Sequence, residues 1–376
     1  MNSEGIQFTN RWLLGDLVDE DKGRQELADY QRVGIGCAPY ACGSAMPTNN
    51  PWYDFYETQW EITHEGRAAP KDYHTLWRGH EFYIGSVCPA SGFGDFMAYQ
   101  TDHFMRKYPF AGLYLDYGMP SACDNPRHGC GVVDAFGQQR GSFGILAKRA
   151  LYERLYKVIH RARPDGVLWT HNWLAFCPPV HSFTDLDFPG EEFMHTAPTD
   201  PNTYTDSVSP EQWQCNYNSR LRGVGIQFLS EVANSLEQMR DDARRSRPML
   251  TCLLLHDVPC NGNRVHWATI GRVWAIMDEQ QATRAEFRGY WDAANPVHAT
   301  DPQVKTSLYT WPNERRALVI VGNMTAQPRQ ASLEGGSLVP TGATLAARDE
   351  ESQQPVALAQ PLSLADRDFR IISLKW

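Results

Sequence analysis

The chain has 376 residues, 42% of them hydrophobic and 21% charged, with a net charge of −9. That is a globular composition, long enough for a barrel of roughly 250 residues plus a smaller module. No cluster of Lys and Arg has the density a phosphate backbone requires, so nucleic acid is not an expected partner. No apolar run reaches the roughly 18 residues of a membrane helix, and the first residues (Met1-Asn2-Ser3-Glu4-Gly5) lack the basic and apolar regions of a signal peptide.

The nine cysteines include no Cys-x-x-Cys pair, so a zinc ribbon or redox motif is not expected. Free thiols in a reducing compartment are the simplest reading, which favours a cytoplasmic setting. A Cys123–Cys130 bridge is left open by the loop spacing.

In chain order, Gly5-Ile6-Gln7-Phe8 reads as a first short strand with Trp12 at its exit, and residues 19–32 as the first helix. Gly34 to Tyr40 reads as the second strand, with Tyr40 at its end. Residues 41–80 read as a long loop carrying Trp52, Tyr53, Tyr56, Trp60 and Trp77, and loops of that length are usually functional. Tyr83-Ile84-Gly85-Ser86-Val87 is the expected third strand, with a helix over about 96–107. Residues 111–116 read as the fourth, with Gly112-Leu113-Tyr114-Leu115-Asp116 ending in a carboxylate where the apolar run stops. A buried parallel strand has this pattern at its C-terminal end, and in a (β/α)8 barrel that end lines the active site. Asp116 is therefore the leading catalytic candidate, the alternative being a turn or helix cap.

A helix follows over 144–163, with apolar residues at helical spacing, ending before Pro164. Val167 to Asn172 reads as a fifth strand, delivering His171 and Asn172 at its end. Ser182 to Asp187 forms a sixth carrying Asp185 and Asp187, followed by Glu191 and Glu192. Val224 to Leu229 reads as the seventh strand, with a helix over roughly 231–245. Met249 to Leu255 reads as the eighth, with His256 and Asp257 at its exit, and helix 267–281 closes the ring. The expectation is an α/β chain, a (β/α)8 TIM barrel over 1–298. Period-two segments from Val304 to Leu374 then predict a small C-terminal antiparallel β-domain over 299–376.

The strand ends collect carboxylates. Breaking a glycosidic bond takes two of them, one to protonate the leaving oxygen and one to attack or stabilise the anomeric carbon. Asp116 fits the second role. Glu191 leads for the acid, with Asp187 and Glu192 close behind. Trp12, Tyr40, His171, Asn172, Asp185, His256 and Asp257 supply aromatic faces and hydrogen-bonding groups suited to a carbohydrate substrate. The glycosidase reading needs no cofactor. A second reading has Asp116, His171, His256 and Asp257 hold a divalent metal for hydrolysis. A third is a non-catalytic carbohydrate-binding protein. The sequence sets neither the sugar nor the oligomeric state.

Gly112-Leu-Tyr-Leu-Asp116, His128-Gly-Cys130-Gly, Ser182-Phe-Thr-Asp185 with Gly190-Glu191, and Leu-Leu-His256-Asp257 together resemble bacterial glycoside-hydrolase barrels. The nearest family is the β-N-acetylgalactosaminidase family 123 with its poorly characterised relatives. A carboxylate on strand four and another after strand six also resembles, more distantly, the α-galactosidase and α-glucosidase clan, which implies a nucleophile at Asp116. The family pattern has an adjacent Asp-Glu pair at the end of strand four, whereas this chain has Asp116-Tyr117. That departure favours a direct two-carboxylate mechanism over assistance by a substrate acetamido group. Such relatives usually carry an upstream β-domain, so the first strand is expected to be the weakest part of the barrel reading.

Overall fold

The computed structural model describes residues 15–77, 80–172, 176–218, 223–311, 313–335, 338–340 and 342–376, with backbone alone over 72–82. The expected first strand and Trp12 lie outside the described residues. The chain divides into two compact units, one ending at Phe188 and one running from Pro189 to Trp376.

In the first unit, α1 (Glu20–Arg32) starts at Asp19, whose side chain accepts the Lys22 N–H. Next come β1 (Tyr40–Cys42), β2 (Ala45–Pro47), α2 (Pro51–Trp60), β3 (Thr63–His64), β4 (Arg67–Ala68), β5 (Asp72–Trp77) and β6 (His80–Ser86). They are followed by α3 (Phe93–Lys107), β7 (Gly112–Asp116), β8 (Ala122–Cys123), β9 (Val132–Val133), β10 (Gln139–Arg140) and β11 (Ser142–Phe143). The unit ends with α4 (Ile145–Ala162), β12 (Val167–Thr170), α5 (Pro178–His181) and β13 (Leu186–Asp187). Its parallel sheet runs β1-β7-β12-β13. Gly112 allows the close approach of β7 to β12, because a Cβ there would lie 2.0 Å from the Val167 carbonyl oxygen. The apolar faces of α3 and α4 supply Phe104, Met105, Leu151 and Leu155 to the same core as Leu113, Leu115 and Leu168.

Two expectations are corrected here. The third strand, β6, pairs antiparallel with β2 and β5 and not with the parallel sheet; an apolar strand pattern does not encode the direction of its partner. The long aromatic loop contains α2, which Pro51 starts and the Asn50 side chain caps through the Trp52 N–H. Its Tyr53 and Trp60 are buried, while Trp52 and Phe55 stay exposed.

The second unit holds α6 (Thr203–Asp206), α7 (Pro210–Tyr217), β14 (Gly225–Ile226), α8 (Leu236–Asp241), α9 (Arg247–Leu255) and α10 (Trp267–Glu279). Then follow β15 (Glu286–Arg288), β16 (His298–Ala299), β17 (Val304–Thr310), β18 (Arg316–Asn323), β19 (Arg329–Ala331), β20 (Leu333–Glu334), β21 (Ala346–Asp349), β22 (Leu362–Leu364) and β23 (Asp368–Lys375). The expected antiparallel β-structure is present, in strand order β15-β17-β18-β23-β21. Its central strand β18 is continuously apolar because both faces are covered. Leu318 and Ile320 join one core with α9, and Ala317, Val319 and Val321 join another.

The expected eighth strand is helix α9, with every residue from Pro248 to Leu255 buried. Pro248 suits a first helical turn. Leu and Met are strong helix formers, and only Thr251 in the run from Met249 is β-branched. A fully buried apolar run carries no periodicity to separate helix from strand. Without that strand, and with β6 antiparallel, the described residues form a parallel sheet and a C-terminal antiparallel sheet, but no closed barrel.

Candidate functional site

Asp116 ends β7, and the register places Cys42 beside it and Tyr40 beside Tyr114. The Tyr40 hydroxyl donates to Asp116 Oδ2 at 2.5 Å, and the Tyr117 N–H donates to Oδ1 at 2.6 Å. Burial, with the nearby Cys42 and Asp116 charges, pushes the Tyr40 phenol far above its usual range, so it remains a donor. His171 follows β12, and its Nδ1 lies 3.4 Å from Asp116 Oδ1 and 3.1 Å from the Tyr114 hydroxyl. The Asp116 side chain keeps 19% of its surface exposed while His171 keeps 2%. The carboxylate is thus held by donors on its inner side and still reaches solvent.

The chain turns sharply after Asp116, with Tyr117 at φ 52°. Lys148, an α4 residue hidden within an apolar helical pattern, donates to the Tyr117 carbonyl at 3.0 Å, to the Gly43 carbonyl at 3.1 Å, and to Ser44 Oγ. Its burial is complete, which pulls its pKa down to about 7 against the pull of Cys88 and Cys42. Gly118 follows, where a Cβ would lie 2.2 Å from Asn172 Oδ1 and 2.5 Å from the Tyr152 hydroxyl. The small residue lets the turn after β7 sit against the end of β12.

Asn172 accepts from the Tyr152 hydroxyl at 3.1 Å and donates to Thr170 Oγ1 at 2.7 Å and to Asp187 Oδ1 at 3.2 Å. His181 Nε2 sits 3.4 Å from Asp187 Oδ2, near enough for an ion pair but off line for a hydrogen bond. Asp187 is buried. His171 and Asn172, adjacent at the end of β12, therefore join Asp116 on β7 to Asp187 on β13. Sequence reading missed Tyr114, Lys148, Tyr152 and His181, because each lies in an apolar or helical pattern with nothing local to mark it.

Asp185 occupies the opposite end of the sheet, a correction to its expected place. It accepts the Leu168 N–H at 2.7 Å and faces His160 Nε2 at 3.1 Å, at the N-terminal edge of β12. Positions at that edge of a parallel sheet serve stability more than chemistry.

In the second unit, Glu191 opens a short 3₁₀ turn and is partly buried. Glu192 accepts the Gly190 N–H at 2.8 Å and the Tyr217 hydroxyl at 2.5 Å. Glu231, not singled out from the sequence, is buried and paired with Arg264 at 2.6 Å. Burial raises its pKa, with Glu191 adding to the rise and Arg264 opposing it. His256 and Asp257 follow a helix instead of a strand. His256 is buried, its Nδ1 bonds the Cys252 carbonyl at 2.6 Å, and its Nε2 meets the Tyr290 hydroxyl at 3.1 Å. Burial lowers its pKa to about 4 despite the bond to Cys252. Asp257, at φ 58°, accepts from the Tyr309 hydroxyl at 2.8 Å.

Residues 270–349 match the family described as glycoside hydrolase 123, C-terminal domain. No curated protein sequence matches the chain. Among solved structures, the chain is similar to the maltogenic α-amylase AmyB of Thermotoga neapolitana at a TM-score of 0.61 and 9% identity, covering 95% of this chain and 82% of that one. It is similar to an Anoxybacillus α-amylase at 0.57 and 11% identity, covering 98% and 85%. It is also similar to the trehalose-6-phosphate hydrolase of Bacillus licheniformis at 0.54 and 9%, covering 99% and 91%. At such identities the likeness is one of fold. The chain has a glycoside-hydrolase-like fold related, through its C-terminal part, to glycoside hydrolase 123.

Proposed function

We propose that the protein is a glycosidase in which Asp116 is the nucleophile or charge-stabilising carboxylate. The observation that carries this reading is the setting of Asp116. It is a carboxylate at the C-terminal end of a parallel strand, oriented by Tyr40 and the Tyr117 N–H, with His171 alongside and its outer side exposed. Two-carboxylate hydrolysis requires such a group. The general acid is Glu191, with Asp187 and Glu192 the other carboxylates of that stretch of chain. The buried, hydrogen-bonded state of Asp187 suits orientation of Asn172 more than proton delivery. His171, Asn172 and Tyr40 would address sugar hydroxyls. Asp116-Tyr117, in place of an Asp-Glu pair, supports direct attack over acetamido assistance. A (β/α)8-like catalytic region over 1–298, departing from the regular barrel at the antiparallel β6 and at helix α9, and a β-module over 299–376 belong to the same proposal and are supported by the fold likeness to amylase-type hydrolases.

The test is reducing-sugar release from a broad glycoside panel by wild type, Asp116→Asn, Glu191→Gln, Asp187→Asn and Glu192→Gln, each with and without brief EDTA treatment. Activity lost in Asp116→Asn and Glu191→Gln but kept in EDTA supports the assignment. Full activity in Asp116→Asn ends it. Loss of activity in EDTA with any bound zinc and the fold retained favours metal-assisted hydrolysis, and sugar binding without turnover favours a carbohydrate-binding protein.

A further inference from the structure

Four side chains from separated parts of the first unit converge away from the strand ends. They are Cys88, just after β6; Cys123, in β8; His128, in the 3₁₀ turn Pro126–His128; and Cys130, beyond that turn. Each offers one ligand atom, and these atoms all lie within 4.8 Å of one another. Cys88 Sγ and Cys130 Sγ are 3.7 Å apart, and His128 Nδ1 is 3.3 Å from Cys130 Sγ. A disulfide would hold its sulfurs at about 2.05 Å, and all nine cysteines are free thiols. Tetrahedral zinc, with Zn–S near 2.3 Å and Zn–N near 2.0–2.1 Å, places neighbouring ligand atoms roughly 3.6–3.8 Å apart. The cluster has that scale.

The surroundings carry the same signature. A ligating histidine usually gives its second ring N–H to a carbonyl or carboxylate, which fixes the ring and leaves the other nitrogen for the metal. His128 Nε2 faces the Glu61 carbonyl at 3.4 Å, which leaves Nδ1 toward the sulfurs. The Asn125 N–H points at Cys123 Sγ at 3.5 Å, as backbone amides do around metal-bound thiolates, and Asn125 Nδ2 donates to the same Glu61 carbonyl at 3.0 Å. Asn125 Oδ1 caps the 3₁₀ turn through the Arg127 N–H, and Gly129 at φ 69° turns the chain so that Cys130 comes back. Cys88 and Cys123 are buried with Ile62 in a small core, against which Ala69 and Cys130 pack.

We infer that Cys88, Cys123, His128 and Cys130 form a structural Zn²⁺ site. Three thiolates and one neutral imidazole fill a tetrahedron and leave no open position, which is the closed pattern of structural zinc and not of a catalytic centre. Binding releases the thiol protons and crosslinks three segments: the exit of β6, the loop after β7, and, through Glu61, the end of α2. The absence of Cys-x-x-Cys argued against zinc from sequence. Three of the four ligands read Cys123-x4-His128-x-Cys130, and the fold supplies the fourth from 35 residues upstream of Cys123.

The test uses the full chain, produced in zinc-supplemented medium and desalted without chelator, with zinc counted per chain by mass spectrometry. Wild type and Cys215→Ser, a change at an exposed thiol outside the cluster, should each retain about one zinc. Cys88→Ser, Cys123→Ser and Cys130→Ser should bind at least the ~10–100-fold more weakly seen for changes around metal ligands. His128→Cys should retain zinc as a four-thiolate site. Reduced, metal-free wild type titrated with Co²⁺ should show thiolate-to-cobalt charge transfer and tetrahedral ligand-field bands that Zn²⁺ abolishes. This titration decides the matter even if the serine variants do not fold. Zinc-free wild type with no such bands, zinc retained in every serine variant, or a disulfide among Cys88, Cys123 and Cys130 in freshly purified protein would each overturn the assignment.

Discussion

Two stretches of this chain look alike in sequence and behave differently. Gly112 to Asp116 and Met249 to Asp257 are both apolar runs that end in charged or titratable groups. The first is a parallel strand whose last residue reaches the rim of a sheet. The second is a helix buried along its whole length, whose terminal His256 and Asp257 turn into local partners. A polar group that ends a buried strand is delivered to a surface shared with neighbouring strands. One that ends a buried helix is spent on capping and packing. The same residue types therefore form a candidate site in one region and a fold-stabilising junction in the other.

That contrast breaks most sharply on Asp116→Asn against Asp257→Asn. The first should cut turnover by on the order of 10²–10³-fold, as loss of a preorganised charge-stabilising group does, with the melting temperature little changed. The second should leave turnover within about twofold, since Asn tolerates the positive φ at that position. Equal losses would erase the distinction. Leu253→Ala in the buried helix should cost about 2–5 kcal/mol in urea denaturation and leave kcat/KM per folded molecule unchanged.

His256 sharpens the comparison through pH. His256 is held near 4 in the folded chain and returns to about 6.5 when unfolded. Between those values the unfolded chain binds more protons. Its contribution to stability is therefore complete above about pH 6.5 and is lost as pH falls toward 4. Denaturation of wild type and His256→Gln across that window should show a steeper acid loss in wild type. A smaller loss of turnover than at Asp116 is expected at Tyr40→Phe, which removes one donor to a charged carboxylate. A bond of that kind is worth about 1.5–3 kcal/mol, so kcat/KM should fall about tenfold or more, with folding preserved. An unchanged kcat/KM would mean that Tyr40 does not tune Asp116.

Several residues at the rim were legible because local pattern and tertiary role coincide. The alternation and abrupt end of β7 pointed to Asp116, and the same logic placed His171 and Asn172 after β12. Lys148 and Tyr152 were not legible, because they sit on a helix whose apolar spacing explains them as core, and only packing against the turn after Asp116 reveals their hydrogen bonds. Asp185 was misplaced by a few residues of strand boundary, enough to move it to the other edge of the sheet.

By itself the sequence determined what is local. It set the helices α1, α3, α4 and α10 through spacing and stops, the antiparallel strands of the C-terminal region through period two, and the carboxylate at the end of β7. Only the tertiary structure decided what depends on partners. It made β6 antiparallel, turned Met249 to Leu255 into a helix, joined Asp116 to Asp187 through His171 and Asn172, and gathered Cys88 with Cys123, His128 and Cys130. The physical reason is range. Periodicity, capping and propensity act over a few residues, whereas strand direction, burial on both sides of an element and convergence of ligands are set by contacts between segments distant in the chain.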